Sequence, residues 1–112
     1  GDIEGNVKKI TAAAKKAAAQ KAILAVFSEL AITGYPPEDL VLRQGFQEAA
    51  MDAVKTLTKV MAKLSTALLV GGIWAEKGKL YNTAFLIYRG KLMAKQYKHM
   101  LPNYGVFDEK RI

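Results

Sequence analysis

Residues 22–27 read A-I-L-A-V-F, a continuous apolar run with polar residues on either side. A run of this length is typical of a buried strand that is covered on both faces. It stops at Ser28 and Glu29, which places a carboxylate directly after the strand. Because binding sites of α/β sheets are usually built at strand ends, this stretch bears on both the fold and the site.

Two helical patterns flank this strand. Asn6 is expected to cap a helix over residues 7–20, where Ala, Ile and Val recur at helical spacing as a thin apolar stripe. The longest helical pattern covers residues 47–64, with its apolar side chains on one face and most of its charges elsewhere. A short helical turn is expected over residues 37–40, because Pro37 suits the first turn of a helix.

Three further strand patterns follow along the chain. Residues 67–70 predict a second buried strand that ends at Gly71–Gly72. Residues 80–88 and 91–97 flank the tight-turn candidate Arg89–Gly90, and together they predict a β-hairpin.

The predicted order of elements is therefore α-β-α-β-β-β, followed by an ordered loop over residues 98–112. This order indicates an α/β domain over residues 1–112, with a mixed sheet and helices packed on one of its faces. The length of 112 residues fits one domain and excludes two.

The composition excludes several kinds of site and partner. The net charge is +7, but the lysines lie singly or in pairs between apolar residues, which is typical of a solvated helix face. The chain has no cysteine, which excludes disulfides and thiolate metal sites. No apolar run reaches the ~18 residues that cross a bilayer. We therefore expect no nucleic acid, no metal and no membrane, and a cytoplasmic location as the default.

Glu29 and Lys98 each follow an apolar strand in this interpretation. A partly buried glutamate can have a raised pKa and act as a general base, and a nearby lysine can stabilise an anion. The alternative is a salt bridge at the rim of the sheet, and the spacing alone favours that alternative.

Four stretches carry a resemblance to a known family. Residues 29–40 read E-L-A-I-T-G-Y-P-P-E-D-L, and residues 97–111 read Y-K-H-M-L-P-N-Y-G-V-F-D-E-K-R. G-D-I-E-G-N-V at residues 1–7 and G-K-L-Y-N-T-A at residues 78–84 add to them. Together they resemble the nitrilase superfamily, and within it the glutaminase domain of glutamine-dependent NAD synthetases. The resemblance implies part of a nitrilase-type α-β-β-α sandwich.

The resemblance also implies a Glu-Lys-Cys triad. Glu29 matches the general base and Lys98 matches the lysine that stabilises the tetrahedral oxyanion, while the cysteine attacks the side-chain amide of glutamine. Tyr104 matches a tyrosine that lines the glutamine pocket, and Glu109 matches a supporting glutamate. Without the resemblance, Tyr104 would be interpreted as a packed loop aromatic and Glu109 as part of a solvated charge run.

The chain differs from the family pattern at several positions. It has no cysteine, Ser28 stands where the family usually has proline before the glutamate, and Ile23 stands where a polar residue is common. We expect the cysteine after the lysine segment, a first strand before residue 1 and an ATP-dependent synthetase domain, all outside this sequence. The 112 residues alone are therefore expected to be an inactive fragment, because a triad acts as a unit.

Partners and cofactors follow from the same resemblance. Glutamine is the expected substrate, and the synthetase domain of the parent chain is the expected partner, within a homo-oligomer. No cofactor is expected in these residues, whereas ATP and deamido-NAD are expected to serve the synthetase domain. Two alternatives stay open: a non-catalytic structural or interaction module derived from a nitrilase-like domain, and, with the least support, a basic nucleic-acid binder.

Overall fold

A computed structural model describes residues 2–28, 30–34 and 43–100, apart from the side chains of His99 and Met100. The elements in chain order are α1 (Ile3–Ala19), β1 (Leu24–Val26), α2 (Gln44–Val60), a 3₁₀ turn (Met61–Lys63), β2 (Ala67–Glu76), β3 (Lys79–Tyr88) and β4 (Lys91–Met100). This order confirms the predicted one.

The four strands form one mixed sheet in the order β1-β2-β3-β4. β1 runs parallel to β2, whereas β2 pairs antiparallel with β3 and β3 pairs antiparallel with β4. β4 therefore runs in the same direction as β1 and β2, and the carboxyl ends of these three strands point towards the same edge of the sheet. The predicted α/β fold with a mixed sheet is confirmed.

Both helices pack on one face of this sheet, as predicted. Ile10 and Ala14 of α1 and Val54 and Leu57 of α2 form one buried cluster with residues of β1, β2 and β3. The strand residues of the cluster are Ala25, Leu68, Val70, Phe85 and Ile87.

Within the described ranges, no helix has the length and the apolar composition needed to cross a membrane.

α1 begins earlier than the sequence pattern predicts. Its N-cap is Asp2, whose carboxylate accepts a hydrogen bond from the Gly5 backbone N–H at 2.9 Å. Asn6 lies inside the helix, so its prediction as the cap is wrong. An aspartate cap satisfies a free N–H group of the first turn and places a negative charge at the positive end of the helix, which explains the start at Ile3.

β1 is covered on one face only, which corrects the prediction of a strand buried on both faces. Ala25 is 9% exposed because it lies on the side that the helices cover. Leu24 and Val26 alternate to the other side and are 45% and 63% exposed. Ile23, directly before the strand, is 86% exposed. The apolar run therefore exposes three aliphatic side chains, of which Leu24 and Val26 share one face of the strand.

β2 is longer than predicted, because it continues through Gly71–Gly72 to Glu76. Nine residue pairs join it to β3. The turn between the two strands is Lys77–Gly78, with φ values of 52° and 75°. The prediction that the strand ends at the glycines is therefore wrong, and the pattern missed this first hairpin.

The second hairpin, β3–β4, confirms the prediction. Arg89–Gly90 forms its turn, with φ values of 52° and 81°. β4 extends to Met100, so Lys98 lies inside the strand rather than after it, and the predicted loop over 98–112 does not begin at Lys98. Residues 101–112 and the predicted helical turn over 37–40 lie outside the described residues.

Two glycine substitutions test the packing around β2. A Cβ atom at Gly72 would lie 3.1 Å from Ile32 Cδ1 and 3.3 Å from Phe85 Cε2, so Gly72→Ala should destabilise the fold by about 1–3 kcal/mol. The matched control is Gly45→Ala in α2, where no atom lies within 4 Å of the new Cβ. The control should stabilise by about 0.5–1 kcal/mol through helix propensity. Urea unfolding measures both changes, and equal stability of the two variants would contradict the close approach at Gly72.

Candidate active site

Glu29 lies outside the described residues, but the chain on both sides of it is described. Leu30 has a φ of 57°, a left-handed conformation that costs a leucine about 1–2 kcal/mol. Two backbone hydrogen bonds close the turn: Ala31 N–H donates to Ser28 C=O at 3.1 Å, and Gly34 N–H donates to Leu30 C=O at 2.7 Å. The side chain of Leu30 is nevertheless buried. The chain therefore makes a tight, strained turn directly after position 29.

Residues 30–34 are tied to the sheet and to α1. The Ile32 N–H donates to Gly71 C=O at 3.1 Å. The side-chain amide of Asn6 donates to Ile32 C=O at 3.0 Å. Ile32 and Thr33 are fully buried. Asn6, which the sequence pattern assigned to a helix cap, thus connects α1 to the segment that follows Glu29.

Lys98 lies at an irregularity in the pairing of β3 with β4. Thr83 pairs with Tyr97 and Asn82 pairs with His99, so Lys98 is the extra residue of a β-bulge. Bulges bend a strand and redirect its side chains, and they are frequent next to active sites. The Lys98 side chain is exposed.

The register brings Lys98 and the loop around Ile32 to a similar level of the sheet. Ile32 is hydrogen-bonded to Gly71. Gly71 pairs with Ala84, which in turn pairs with Gln96. Two strands still separate β1 from β4, which corresponds to about 14 Å along the sheet. The two segments therefore lie at similar positions along the strand direction, although their strands are not neighbours in the sheet.

Tyr97, the residue before Lys98, belongs to a polar cluster. Its hydroxyl donates to Glu76 Oε1 at 2.9 Å, and Lys95 Nζ lies 3.6 Å from the same oxygen. The hydrogen bond from Tyr97 is the main cause that lowers the pKa of Glu76, and the charge of Lys95 adds to it. Partial loss of solvent raises the pKa of Tyr97, and its hydrogen bond to Glu76 acts in the same direction.

Aromatic rings from three strands complete this cluster. Tyr81 of β3 stacks on Tyr97 of β4 with ring centroids 4.1 Å apart. Lys95 Nζ lies 4.4 Å from the ring centroid of Trp74 in β2. The cluster therefore ties β2, β3 and β4 together beside the bulge. Alternation along β2 is enough to place Trp74 and Glu76 on the same face of the sheet. The contacts with β3 and β4 could not be predicted, because the sequence pattern missed the turn between β2 and β3.

Only one of the four predicted site residues can be placed in the structure. Lys98 lies on β4, whereas Glu29, Tyr104 and Glu109 lie outside the described residues. Within residues 2–28, 30–34 and 43–100, no group of three or more His, Asp or Glu side chains could hold a metal ion.

The chain and its fold are similar to glutamine-dependent NAD synthetases and to an amidase. The glutamine-dependent NAD(+) synthetase of Thermotoga maritima is 39% identical over 111 residues, which cover 99% of this chain and 19% of that protein. The glutamine-dependent NAD+ synthetase structure from Acinetobacter baumannii superposes with a TM-score of 0.78 at 36% identity, covering 97% of this chain and 20% of that one. The chain thus spans about a fifth of the length of these relatives.

A shorter relative has the same fold. An amidase of the nitrilase superfamily from Nesterenkonia sp. superposes with a TM-score of 0.76 at 25% identity, covering 87% of this chain and 37% of that one. One variant of that amidase shows covalent addition of the acetamide moiety of fluoroacetamide at the active-site cysteine.

These similarities define the class of protein as a nitrilase-superfamily α/β fold. The family model of the carbon-nitrogen hydrolases matches residues 1–112. The chain therefore belongs to the carbon-nitrogen hydrolase family.

The tie between Asn6 and Ile32 can be tested by Asn6→Ala. The variant leaves the Ile32 carbonyl without its donor and should cost about 1–2 kcal/mol, although alanine itself favours the helix. Hydrogen exchange of residues 30–34 should become faster. Lys9→Ala, an exposed position on the same helix, is the control and should leave this exchange unchanged. Unchanged exchange in Asn6→Ala would show that the loop does not depend on this tie.

The polar cluster can be tested by Tyr97→Phe. Because the hydroxyl of Tyr97 is the main cause that lowers the pKa of Glu76, this pKa should rise towards its ordinary value in the variant. A lowered carboxyl pKa stabilises the fold above the ordinary value, and this contribution is lost as the pH falls through the folded-state pKa. The free energy of unfolding of the variant should therefore depend less on pH in the acidic range.

A carbon-detected NMR titration of the Glu76 carboxyl group measures this shift. Tyr88→Phe is the control, since Tyr88 lies on β3 and faces Arg89 rather than Glu76. If Tyr97→Phe leaves the pKa of Glu76 where it was, the charges of Lys95 and Lys77 rather than the hydroxyl are responsible for the lowered pKa.

Proposed function

We propose that this chain is the glutaminase part of a glutamine-hydrolysing NAD synthetase. The proposal is supported by membership of the carbon-nitrogen hydrolase family and by the similarity to two glutamine-dependent NAD synthetases. Within the structure, it is carried by one observation: the tied turn that follows Glu29 and the bulge at Lys98 lie at a similar level of the same sheet.

The proposed chemistry uses Glu29 and Lys98 in different roles. Glu29 takes the proton from a cysteine thiol, and the thiolate attacks the amide carbon of glutamine. The ammonium of Lys98 stabilises the oxyanion that forms on this carbon. The C–N bond then breaks, ammonia leaves with the transferred proton, and water hydrolyses the thioester to glutamate. Tyr104 would line the glutamine pocket and Glu109 would support the triad.

The cysteine of this mechanism must come from outside the 112 residues, which contain none. The ammonia would pass to a synthetase domain, where ATP and deamido-NAD are consumed. These partners, a homo-oligomeric parent and a cytoplasmic location belong to the proposal.

A chimera tests the proposal. Residues 1–112 replace the matching segment of the Thermotoga maritima synthetase, which supplies a cysteine and the rest of the enzyme. The chimera should make NAD from glutamine. Glu29→Gln should lower the glutamine-dependent rate by about 10²- to 10⁴-fold, and Lys98→Ala by about 10²- to 10³-fold. Lys91→Ala, at the exposed start of the same strand, is the matched lysine control and should keep full activity.

NAD synthesis from free ammonia distinguishes a variant that has lost only the glutaminase site from a variant that is misfolded. Every chimera should make NAD from added ammonia, since only the glutaminase step is altered. The 112-residue chain alone should release no ammonia from glutamine. Full glutamine-dependent activity in the Glu29→Gln chimera would overturn the assignment of Glu29.

A non-catalytic interaction module is the second candidate. The exposed Ile23, Leu24 and Val26 favour it, because a group of neighbouring exposed aliphatic side chains marks a contact surface. A chimera that uses ammonia but never glutamine, even with unaltered residues 1–112, would support this candidate against the first.

A further inference from the structure

Asn82 on β3 has a side-chain oxygen that the surrounding structure leaves unpaired. The residue is 1% exposed. Among the described residues, its Oδ1 is the one buried side-chain oxygen or nitrogen without a hydrogen-bond partner. An unpaired buried acceptor destabilises a fold, and an apolar side chain of similar shape would avoid this loss. Packing alone therefore gives no reason for an amide at this position.

Asn82 lies on the same face of the sheet as residues that pack against the turn after Glu29. It pairs with Ile73 of β2, and paired residues present their side chains on one face. Leu80, two residues earlier on β3, shares that face. Leu30, Ile73 and Leu80 belong to one buried cluster. The side chain of Asn82 is therefore on the side of the sheet where Leu30, the neighbour of Glu29, is packed.

Asn82 also lies across from the bulge that contains Lys98. Its backbone pairs with that of His99, the residue directly after Lys98. Neighbouring strands are about 4.8 Å apart, and the flexible four-carbon stem of a lysine can cross this spacing. β3 lies between β4 and β2, the strand to which the loop after Glu29 is hydrogen-bonded. A Lys98 side chain that reaches towards Glu29 therefore passes Asn82.

We propose that Asn82 is a positioning residue for Lys98, and that its Oδ1 accepts a hydrogen bond from the Lys98 ammonium group in the assembled glutaminase site. This inference rests on the proposed function. The side chain of Lys98 is exposed, which leaves it room to turn towards β3. An ammonium group has three donors, so Lys98 can donate to Asn82 and to the oxyanion at once. An amide oxygen favours the charged form of the lysine without neutralising it, as a carboxylate would.

Two other donors fit the same oxygen less well. A buried water needs about 2–4 polar partners, whereas Ile73 and Leu80 on this face are apolar. The carboxamide NH₂ group of glutamine would have to reach a nearly fully buried atom, whereas Lys98 is held on the adjacent strand. Lys98 is therefore the donor that the described geometry favours.

The glutamine kinetics of a chimera test this role. Residues 1–112 again replace the matching segment of the Thermotoga maritima synthetase. Asn82→Leu removes the acceptor at a similar side-chain size. It should lower kcat for glutamine by roughly 10- to 100-fold, the range for a hydrogen bond to a charged group, and leave KM within roughly threefold. NAD synthesis from free ammonia should be unchanged, since only the glutaminase site is altered.

The pH profile separates a role in positioning Lys98 from a role in packing. Asn82→Leu removes an acceptor that favours the charged ammonium, so the alkaline limit of glutamine-dependent activity should move to lower pH. Asn82→Asp places a negative charge at the same position, so this limit should move to higher pH. Thr83→Val is the matched control, because it also replaces a buried polar side chain of β3 by an apolar one. It should change neither kcat nor the alkaline limit.

The outcomes distinguish the role of Asn82 from the proposed function. If the unaltered chimera uses ammonia but never glutamine, both are overturned. If the unaltered chimera uses glutamine and Asn82→Leu keeps its kcat and its alkaline limit, only the role of Asn82 is overturned. A higher KM at unchanged kcat also overturns it, because Asn82 would then bind glutamine. If Asn82→Leu loses the ammonia reaction as well, Asn82→Asp decides: a limit at higher pH supports the contact with Lys98, and an unchanged limit overturns it.

Discussion

The register of β2 is the constraint on which the rest of the described structure depends. Nine residue pairs join β2 to β3, and parallel pairing joins it to β1. Ile32 adds a hydrogen bond further along the same edge of β2. The absence of a side chain at Gly72 lets Ile32 and Phe85 come close at this point. A slip of one residue would exchange the two faces of β2 and remove both the helix-facing core and the tie to the loop.

This register also decides which surfaces are buried. It places Leu68 and Val70 on the same side as Phe85, so one face of the sheet becomes the apolar floor for two amphipathic helices. The other face leaves Leu24 and Val26 largely exposed. Removing each of these side chains from water would contribute about 1.5–3 kcal/mol.

The sequence predicted those elements whose patterns are local. Both helices and the β3–β4 hairpin follow from periodicity and from the turn Arg89–Gly90, and the structure contains them. Prediction failed where contacts between distant residues decide the outcome. Gly71–Gly72 has the composition of a strand end, yet Gly72 serves the approach of Ile32, which lies far earlier in the chain. The bulge at Lys98 depends on the pairing of two strands, so no single-strand pattern could reveal it.

The chain departs from regular structure next to Glu29 and at Lys98. Leu30 adopts a positive φ directly after Glu29, and Lys98 is the extra residue of a β-bulge. Such irregular positions persist only where their surroundings hold them in place. Hydrogen bonds from Asn6 and Ile32 hold the first segment, and the bond from Tyr97 to Glu76 lies beside the second. A regular strand would confine Lys98 to strict alternation, whereas a bulge supported by neighbouring side chains allows another direction. The site therefore depends on more than Glu29 and Lys98. It also depends on the residues that hold their neighbours in the chain in place.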